Sequence, residues 1–396
     1  MKVYIIGIGM GSRETMTAEA VKAVEKADVL IGAKRMIEPF KDVGKPVFEE
    51  YRSSEIVRYI EESTYQCVAV LMSGDCGFFS GTKKLSELLP EAETEYICGI
   101  SSPVYFLSKL KKEWSDCNFV SLHGKNGNIV RSVCAHEKTF FLLGGDVTAA
   151  DICRKLCDFG MSDISVYIGE QLGYEDEKIT FGKACELTEY TANGLSVLLA
   201  ENPDFERFMP CCIDDDLFIR GKVPMTKKEV RGNVVAGLEI GKNDVCWDIG
   251  CGTGSVSVEM ALRCENGTVC AVDRNHEAVM LTADNSRRFG CDNIVIYEGY
   301  AADIINELPV PDCVFIGGSA GQIEDIIKTA LDKNHNIRLT ITVVSIETLS
   351  DCIAVFDKFD LEAEITQLAV TRTRKIGGHT MMAAENPIFI IKRKFQ

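Results

Sequence analysis

The sequence has 396 residues, enough for two or three domains of ordinary size. With 46% hydrophobic and 26% charged residues, its composition is typical of a globular chain that buries full cores. A formal net charge of −16 gives a surface that repels phosphate backbones, which excludes nucleic acid as an expected partner.

The first 200 residues alternate short apolar strands with helices. KVYIIG (2–7) predicts a strand, and Thr17 can cap a helix over 18–27 whose apolar residues share one face. Further strands are predicted at DVLIG, CVAVLMSG, FFLLGG and ISVYIGE. Because these runs are continuously apolar, they are typical of strands buried on both faces, and we predict an α/β domain over residues 1–200.

A glycine-rich loop follows the first strand. Gly7, Gly9 and Gly11 do not complete G-x-G-x-x-G, and the next strand ends in Gly32 rather than in an acid, so a Rossmann cofactor site is not expected here. Two more segments, SGDCGFF (73–79) and GISSP (99–103), end apolar strands in small residues. Together with IIGIGMGS, SLHGK (121–125) and GEQLGYEDEKITFG (169–182), they resemble the tetrapyrrole methylase family.

That resemblance spans residues 1–200. It implies a bilobal α/β fold that binds S-adenosylmethionine in a cleft between its lobes and methylates C5 of a precorrin. It also implies methyl-donor contacts by Met10, Asp75, Phe78, Ser101, Ser102 and Leu143. This chain has Cys76 where the family loop S-G-D-P has proline, which reduces the rigidity of the loop but keeps the aspartate.

The segment ENPDFERFMPCCIDDDLFIRGKVP interrupts the alternation with three prolines and an acidic triplet. We predict a linker at 201–222; the alternative is a long surface loop within one domain. Strands and helices then alternate again over 223–396, which predicts a doubly wound, Rossmann-like parallel sheet. AEITQLAVTRTRKIGG and PIFIIKR are expected to add an antiparallel pair at its edge.

A second glycine loop, Gly250, Gly252 and Gly254, lies between a strand and a helix of this domain, and Asp273 ends the next strand. A carboxylate at that distance can accept hydrogen bonds from a ribose, so we predict a nucleoside-bearing cofactor. Ser255 stands where a dinucleotide loop needs glycine, and Asp248 before the loop should repel a diphosphate. Both features favour the cationic S-adenosylmethionine over a dinucleotide or an empty turn.

Five segments of this domain resemble the C15-methylating, decarboxylating methyltransferases of cobalamin biosynthesis. They are VPMTKKEVRGNVVAGLEIGKNDVCWDIGCGTGSVSVEMA, AVDRNHEAV, NIVIYEG, DCVFIGGSAG and SIETL. The resemblance covers nearly all of 220–396. It implies donor contacts by Thr226, by the loop Gly250, Cys251, Gly252, Thr253 and Gly254, by Asp273 and by Ala301, to which the charge argument adds Asp248. The family usually reads EGDA where this chain has Tyr300, so an adenine contact is left open between stacking on Tyr300 and a bond to Asp303.

Ring methylation mainly needs positioning, since a reduced macrocycle supplies its own nucleophilic carbon. Arg372 and Arg374 share one face of a predicted strand, and we predict that they clamp substrate carboxylates; the alternative is a solvated basic edge strand. Lys34 and Arg35 could do the same in the first domain, although a position on its surface is favoured.

Glu229 is the candidate for proton handling, with Arg231 beside it as a second catalytic candidate, although ion pairing on the helix surface is the favoured explanation for Glu229. Cys251 is interpreted as a small side chain between glycines rather than a nucleophile. His123 and His379 are isolated, and structural roles are favoured for both.

The predicted function is therefore a bifunctional S-adenosylmethionine-dependent methyltransferase of corrin biosynthesis, acting on C5 and C15 and removing the C12 acetate carboxyl. The alternatives are a nicotinamide-dependent oxidoreductase, a sensor of S-adenosylmethionine and an RNA methyltransferase. We expect a tetrapyrrole as the substrate, a homo-oligomer, no metal and no membrane partner. We also expect a cytoplasmic location, because 17 cysteines without the spacing of metal ligands indicate reduced thiols.

Overall fold

The computed structural model of the chain describes residues 1–123, 128–206, 211–319 and 321–395. Part of the SLHGK segment (124–125), part of the predicted linker (207–210) and Ala320 of the DCVFIGGSAG segment lie outside the described residues. The chain divides into two compact units. The first holds residues 1–127, 136–157 and 161–204, and the second holds 128–135, 158–160 and 205–396.

The first unit contains two five-stranded sheets. One is entirely parallel, with the order β3-β2-β4-β1-β5, and consists of β1 (Lys2–Gly7), β2 (Val29–Gly32), β3 (Val47–Glu49), β4 (Cys67–Met72) and β5 (Glu93–Ile97). Its central strands are buried except at their end residues, because helices cover both faces of a parallel sheet.

The other sheet of this unit is mixed. Its strands, in the order β6-β7-β10-β8-β9, are β6 (Cys117–Ser121), β7 (Lys138–Leu142), β8 (Ser165–Glu170), β9 (Lys178–Lys183) and β10 (Ser196–Glu201). Only β6 and β7 are parallel. The helices within residues 1–160 are α1 (Ala18–Lys26), α2 (Lys34–Ile37), α3 (Ser53–Glu62), α4 (Thr82–Glu87), α5 (Ser102–Lys109), α6 (Ile129–Ala135) and α7 (Ala149–Asp158), of which α6 belongs to the second unit.

The second unit has a seven-stranded sheet in the order β13-β12-β11-β14-β15-β19-β16. Its parallel part consists of β11 (Val245–Ile249), β12 (Thr268–Asp273), β13 (Ile294–Glu298), β14 (Cys313–Ile316) and β15 (Arg338–Val343), and β16 (Glu362–Leu368) and β19 (Ile388–Lys394) are antiparallel. The helices between these strands are α8 (Lys228–Gly237), α9 (Ser255–Ala261), α10 (His276–Arg288), α11 (Ala301–Ile304), α12 (Ile323–Lys333) and α13 (Ile346–Lys358).

This sheet confirms the predicted doubly wound class and the antiparallel pair at its edge. The basic segment forms instead a separate hairpin of β17 (Thr371–Ile376) and β18 (His379–Ala384). Gly377 and Gly378 connect the two strands with φ of 53° and 85°, the backbone that a tight two-residue hairpin turn requires.

Residues of the predicted linker also take part in the second unit: Ile213, Asp215 and Phe218 are buried. Among the described residues, no helix has the length and apolarity needed to cross a membrane.

Candidate functional sites in two cavities

The glycine loop of the second unit takes its shape from positive φ angles. Gly250, Gly252 and Gly254 have φ of 78°, 58° and 73°, a region that side chains with a Cβ rarely adopt. A Cβ at Gly250 would lie 2.7 Å from the backbone nitrogen of Gly318, and one at Gly252 would lie 2.8 Å from the carbonyl oxygen of Pro224. Glycine is therefore needed here to let three backbone segments meet.

The loop lies where the strand order reverses, between β11 and β14, the place where open α/β sheets bind ligands. A cavity of about 490 Å³ opens there. Asp273, at the end of β12, forms part of its wall, and its carboxylate accepts the N–H groups of Gly252 at 3.0 Å and Asn275 at 2.9 Å. These bonds fix the carboxylate and leave half of its acceptor positions for a ligand.

The cavity brings together most of the predicted donor-binding residues. Thr226, Gly250, Cys251, Gly252, Asp273 and Ala301 line it. Thr253 and Gly254 lie behind it: a Cβ at Gly254 would lie 2.8 Å from Cα of Thr282, so this glycine permits the close approach of α10. Burial raises the pKa of the Cys251 thiol, which agrees with its interpretation as a small side chain.

Asp248 requires a correction. We expected its carboxylate at the mouth of the loop, facing a cationic ligand, but it is fully buried and does not line the cavity. One oxygen accepts a hydrogen bond from Ser257, and the other has no partner among the described residues. Desolvation raises its pKa to about 7, with a further contribution from Asp273. Its charge is therefore not a direct ligand contact.

The buried carboxyl of Asp248 should make the stability of the parent depend on pH, and Asp248→Asn should remove this dependence. The folded chain keeps the proton up to about pH 7, whereas the unfolded chain releases it near pH 4. The free energy of unfolding therefore falls as the pH rises between these values, by at most about 1.4 kcal/mol per pH unit. The amide of the variant never becomes charged, so this fall should disappear, as urea denaturation between pH 5 and 8 can test. Profiles of equal slope in parent and variant would contradict the prediction.

Arg231 also requires a correction, because a catalytic residue must reach the substrate. Its side chain is fully buried. It bonds Glu259 at 2.7 Å, the carbonyl oxygen of Thr226 at 2.7 Å and Asp215 at 3.3 Å, and it also donates to the carbonyl of Ile213. With its donors used inside the protein, Arg231 is a structural residue that positions Thr226 on the cavity wall.

Arg372 and Glu229 line a neighbouring cleft rather than the cavity of the glycine loop. Arg372 is hydrogen-bonded to Glu229, and its guanidinium lies 3.4 Å from Asp215 and 3.6 Å from Glu385. The bond to Arg372 lowers the pKa of Glu229 and thus makes it a weaker base. A clamp built on Arg372 would have to compete with three carboxylates of the protein itself.

The residue near adenine was left open between Tyr300 and Asp303, and these two side chains differ in their position relative to the cavity. Tyr300 lines the cavity and Asp303 does not. The guanidinium of Arg274 lies 5.4 Å from the centroid of the Tyr300 ring. Two residues at this site were not predicted from the sequence: Arg274, and Gly318 with its close approach to Gly250. The position of Arg274 directly after the acid that ends β12 was the available signal.

The first glycine loop has a packing role. A Cβ at Gly7 would lie 2.7 Å from the oxygen of Gly74 and 2.7 Å from the nitrogen of Gly99, so the ends of β1, β4 and β5 touch through their backbones. Gly9 and Gly74 exchange two backbone hydrogen bonds, of 3.1 and 2.9 Å. Asp75 completes this junction by accepting the N–H groups of Gly77 at 2.8 Å and Gly99 at 3.0 Å.

Beside this junction is a cavity of about 260 Å³ within the first unit. Its walls include five predicted donor-binding residues, namely Met10, Asp75, Phe78, Ser102 and Leu143. Ser101 does not line it but precedes α5 and is buried. His123, interpreted as structural, is on the wall, and its ring packs against Gly144 so closely that a Cβ there would lie 2.2 Å from Cε1.

Comparison with known proteins gives matches for both halves. The family described as "Tetrapyrrole (Corrin/Porphyrin) Methylases" matches residues 2–188, and "Precorrin methyltransferase domain" matches residues 216–393. A probable cobalt-precorrin-6B C(15)-methyltransferase (decarboxylating) of Pyrobaculum calidifontis is 41% identical over 182 residues, which are 45% of this chain and 93% of the relative. A precorrin-6Y C(5,15)-methyltransferase (decarboxylating) of Sinorhizobium sp is 25% identical over 97% of this chain and 94% of the relative.

A crystal structure of precorrin-6Y C5,15-methyltransferase from Geobacter metallireducens GS-15 has 31% identity and a TM-score of 0.44, covering 47% of this chain and 98% of that one.

The two halves are thus methyltransferase domains of different fold, and the chain is a methyltransferase. It belongs to the precorrin methyltransferases, the enzymes of cobalamin biosynthesis that its sequence resembles. The predicted activity and fold class are confirmed, whereas the oxidoreductase and RNA methyltransferase alternatives have no support in these matches.

Proposed function

We propose that this chain transfers two methyl groups from S-adenosylmethionine to one precorrin, at C5 from the first cavity and at C15 from the second, and removes the C12 acetate carboxyl at the second. The observation that supports this best is the division of the chain. Each unit has its own cavity: the lining of the second lies within the precorrin methyltransferase match at 216–393, and most of the lining of the first lies within the tetrapyrrole methylase match at 2–188. The proposed domains are 1–200 and 223–396.

The second cavity suits a nucleoside-bearing donor. The carboxylate of Asp273 is held by two backbone N–H groups and keeps acceptor positions for ribose hydroxyls. The loop backbone at Gly250 and Gly252 has no side chain to keep a ligand away, and Tyr300 offers an aromatic ring. In the first cavity, Asp75 supplies an anion near a cationic donor, and Phe78 and Leu143 supply apolar walls.

The donor supplies an electrophilic methyl group. The residues of this chain then have two tasks: they orient the reacting carbon toward that methyl group, and they exclude water. Val344, on the wall of the second cavity, and Ile346, two residues further on, are each 75% exposed. Large aliphatic side chains in the open beside a cavity are suited to the flat apolar face of a macrocycle.

Removal of the acetate carboxyl breaks the bond between the methylene carbon and the carboxylate. Carbon dioxide leaves, the electron pair enters the conjugated ring, and a proton replaces the carboxyl group. Desolvation favours this step, because it removes a charge from a water-poor site. No redox partner is needed, and we propose no metal, nucleic acid or membrane partner for the reaction.

Product analysis by mass spectrometry tests this function in the full chain. With precorrin and S-adenosylmethionine, the parent should add two methyl groups and release one molecule of carbon dioxide. Asp273→Ala should lose C15 methylation and the release of carbon dioxide, because its donor loses the ribose contact. Asp75→Ala should lose C5 methylation and still release carbon dioxide. An inactive parent, or two methylations surviving in Asp273→Ala, would contradict the proposal.

A further inference from the structure

We propose that Arg35 binds a carboxylate side chain of the tetrapyrrole in the first cavity, an inference that rests on the proposed function. Arg35 is the second residue of α2, directly after β2, and it lies on the cavity wall with Met10, Asp75 and Phe78. Neither the match to known families nor the donor-binding prediction assigns it a role. From the sequence, a surface position was favoured for Arg35 over a substrate contact.

Among the described residues, the structure gives the exposed guanidinium of Arg35 no ion pair and no hydrogen bond. In contrast, Arg372 contacts three carboxylates and Arg231 contacts two. An arginine without a partner on the wall of a cavity presents its planar donors to whatever enters. A carboxylate matches that geometry with two parallel hydrogen bonds.

The remainder of the cavity strengthens this preference. Asp75, the carboxylate on the wall, already accepts two backbone N–H groups and is tied to the loop junction. The other cavity walls are largely apolar and include Phe78, Leu143 and Leu172. Arg35 is itself exposed, so water screens its charge until an entering ligand covers the guanidinium.

Electrostatics also divides the cavity between the two ligands. S-adenosylmethionine carries a sulfonium and an ammonium, which Asp75 attracts and Arg35 repels. A precorrin carries several acetates and propionates, which Arg35 attracts. The donor has one carboxylate of its own, so its binding must be measured separately from that of the substrate.

The neighbouring Lys34 provides a matched control. It is exposed on the same short helix, and it does not line the cavity. Loss of either residue changes the net charge of the chain by one unit. Only the loss of Arg35 removes a cation from the cavity wall. An effect on precorrin binding that appears in the Arg35 variant and not in the Lys34 variant therefore comes from direct contact and not from long-range electrostatics.

The experiment compares the parent with Arg35→Gln, Arg35→Lys and Lys34→Gln, all in the full chain. Transfer of a ¹³C-labelled methyl group to C5 is followed by NMR at varied precorrin, and equilibrium binding of precorrin and of S-adenosylmethionine is measured by titration. Arg35→Gln should raise KM for C5 methylation about 10- to 100-fold, the effect of losing a charge-assisted contact. Its kcat should stay near the parent value, and its affinity for the donor should not fall, because Arg35 repels the donor's sulfonium and ammonium. Arg35→Lys should be intermediate, and Lys34→Gln should match the parent.

An unchanged KM in Arg35→Gln would overturn the inference. Weaker donor binding with unchanged precorrin binding would also overturn it, by assigning the guanidinium to the donor carboxylate. If the parent binds precorrin more tightly than Arg35→Gln but transfers no methyl group, the proposed function is refuted, whereas the contact between Arg35 and a precorrin carboxylate is supported. A parent that binds no precorrin would refute both.

Discussion

A chain carrying Gly250→Ala should bind one molecule of S-adenosylmethionine where the parent binds two. Gly250 has a φ of 78°, and an added Cβ would lie 2.7 Å from both the nitrogen and the oxygen of Gly318. Because both are backbone atoms at the end of β14, no side chain can move aside to relieve the contact. The loop or the strand end must shift, and the wall of the second cavity shifts with it.

We expect the affinity of the second site to fall by roughly 100-fold or more, which is about 2.7 kcal/mol of binding free energy. The first site should keep its affinity, since its loops lie in the other unit. Isothermal titration calorimetry measures the number of binding sites from the stoichiometry and the affinity of each site from the shape of the titration curve. Gly378→Ala is the matched control: it has a φ of 85° and no atom within 4 Å of the added Cβ, so it carries backbone strain without a clash. Two sites of parental affinity in Gly250→Ala would contradict the prediction.

The sequence was sufficient to predict this site because its parts are close along the chain. The strands β11 and β12 are mainly apolar, and the glycines and Asp273 stand at their carboxyl ends. In a parallel sheet, the carboxyl ends of neighbouring strands lie at the same edge. The pattern therefore predicted that the loop and the acid meet, and Asp273 accepts the N–H of Gly252.

The same local pattern could not place the side chain of Asp248. A strand buried on both faces has no alternation of polar and apolar residues, so nothing in the sequence indicates which side a polar residue faces. The structure directs Asp248 into the protein, toward Ser257 on α9. The prediction for Asp248 depended on its closeness to the loop along the chain, and that closeness does not determine exposure.

Arg231 was misassigned for a different reason, although a signal was present. Val234 and Val235 follow it by three and four residues and are buried, so Arg231 lies on the apolar face of α8. That spacing indicated burial. Its partners could not be predicted, because Asp215 and Ile213 belong to the predicted linker and Glu259 lies on another helix.

Arg231→Met should produce the largest loss of stability among the changes considered. Arg231 and Glu259 are both fully buried and are joined at 2.7 Å. Removing the guanidinium leaves the Glu259 carboxylate buried with only the N–H groups of Cys212 and Ile213 and the more distant Arg263. The expected loss is about 3–5 kcal/mol of the free energy of unfolding of the second unit, the usual effect of breaking a buried pair on one side.

Urea denaturation followed by fluorescence measures this loss, because Trp247 is buried in β11 of the second unit. The other tryptophan, Trp114, lies in the first unit and is replaced by phenylalanine both in the reference chain and in every variant. Arg287→Ala, which removes an exposed pair with Asp284, should cost at most about 0.5 kcal/mol. Adding Glu259→Gln to Arg231→Met should recover part of the loss, since the unpaired charge is then gone. A loss below about 1 kcal/mol in Arg231→Met would mean that Glu259 is neutral or reaches water in the folded chain, and the structural role of Arg231 would fail with it.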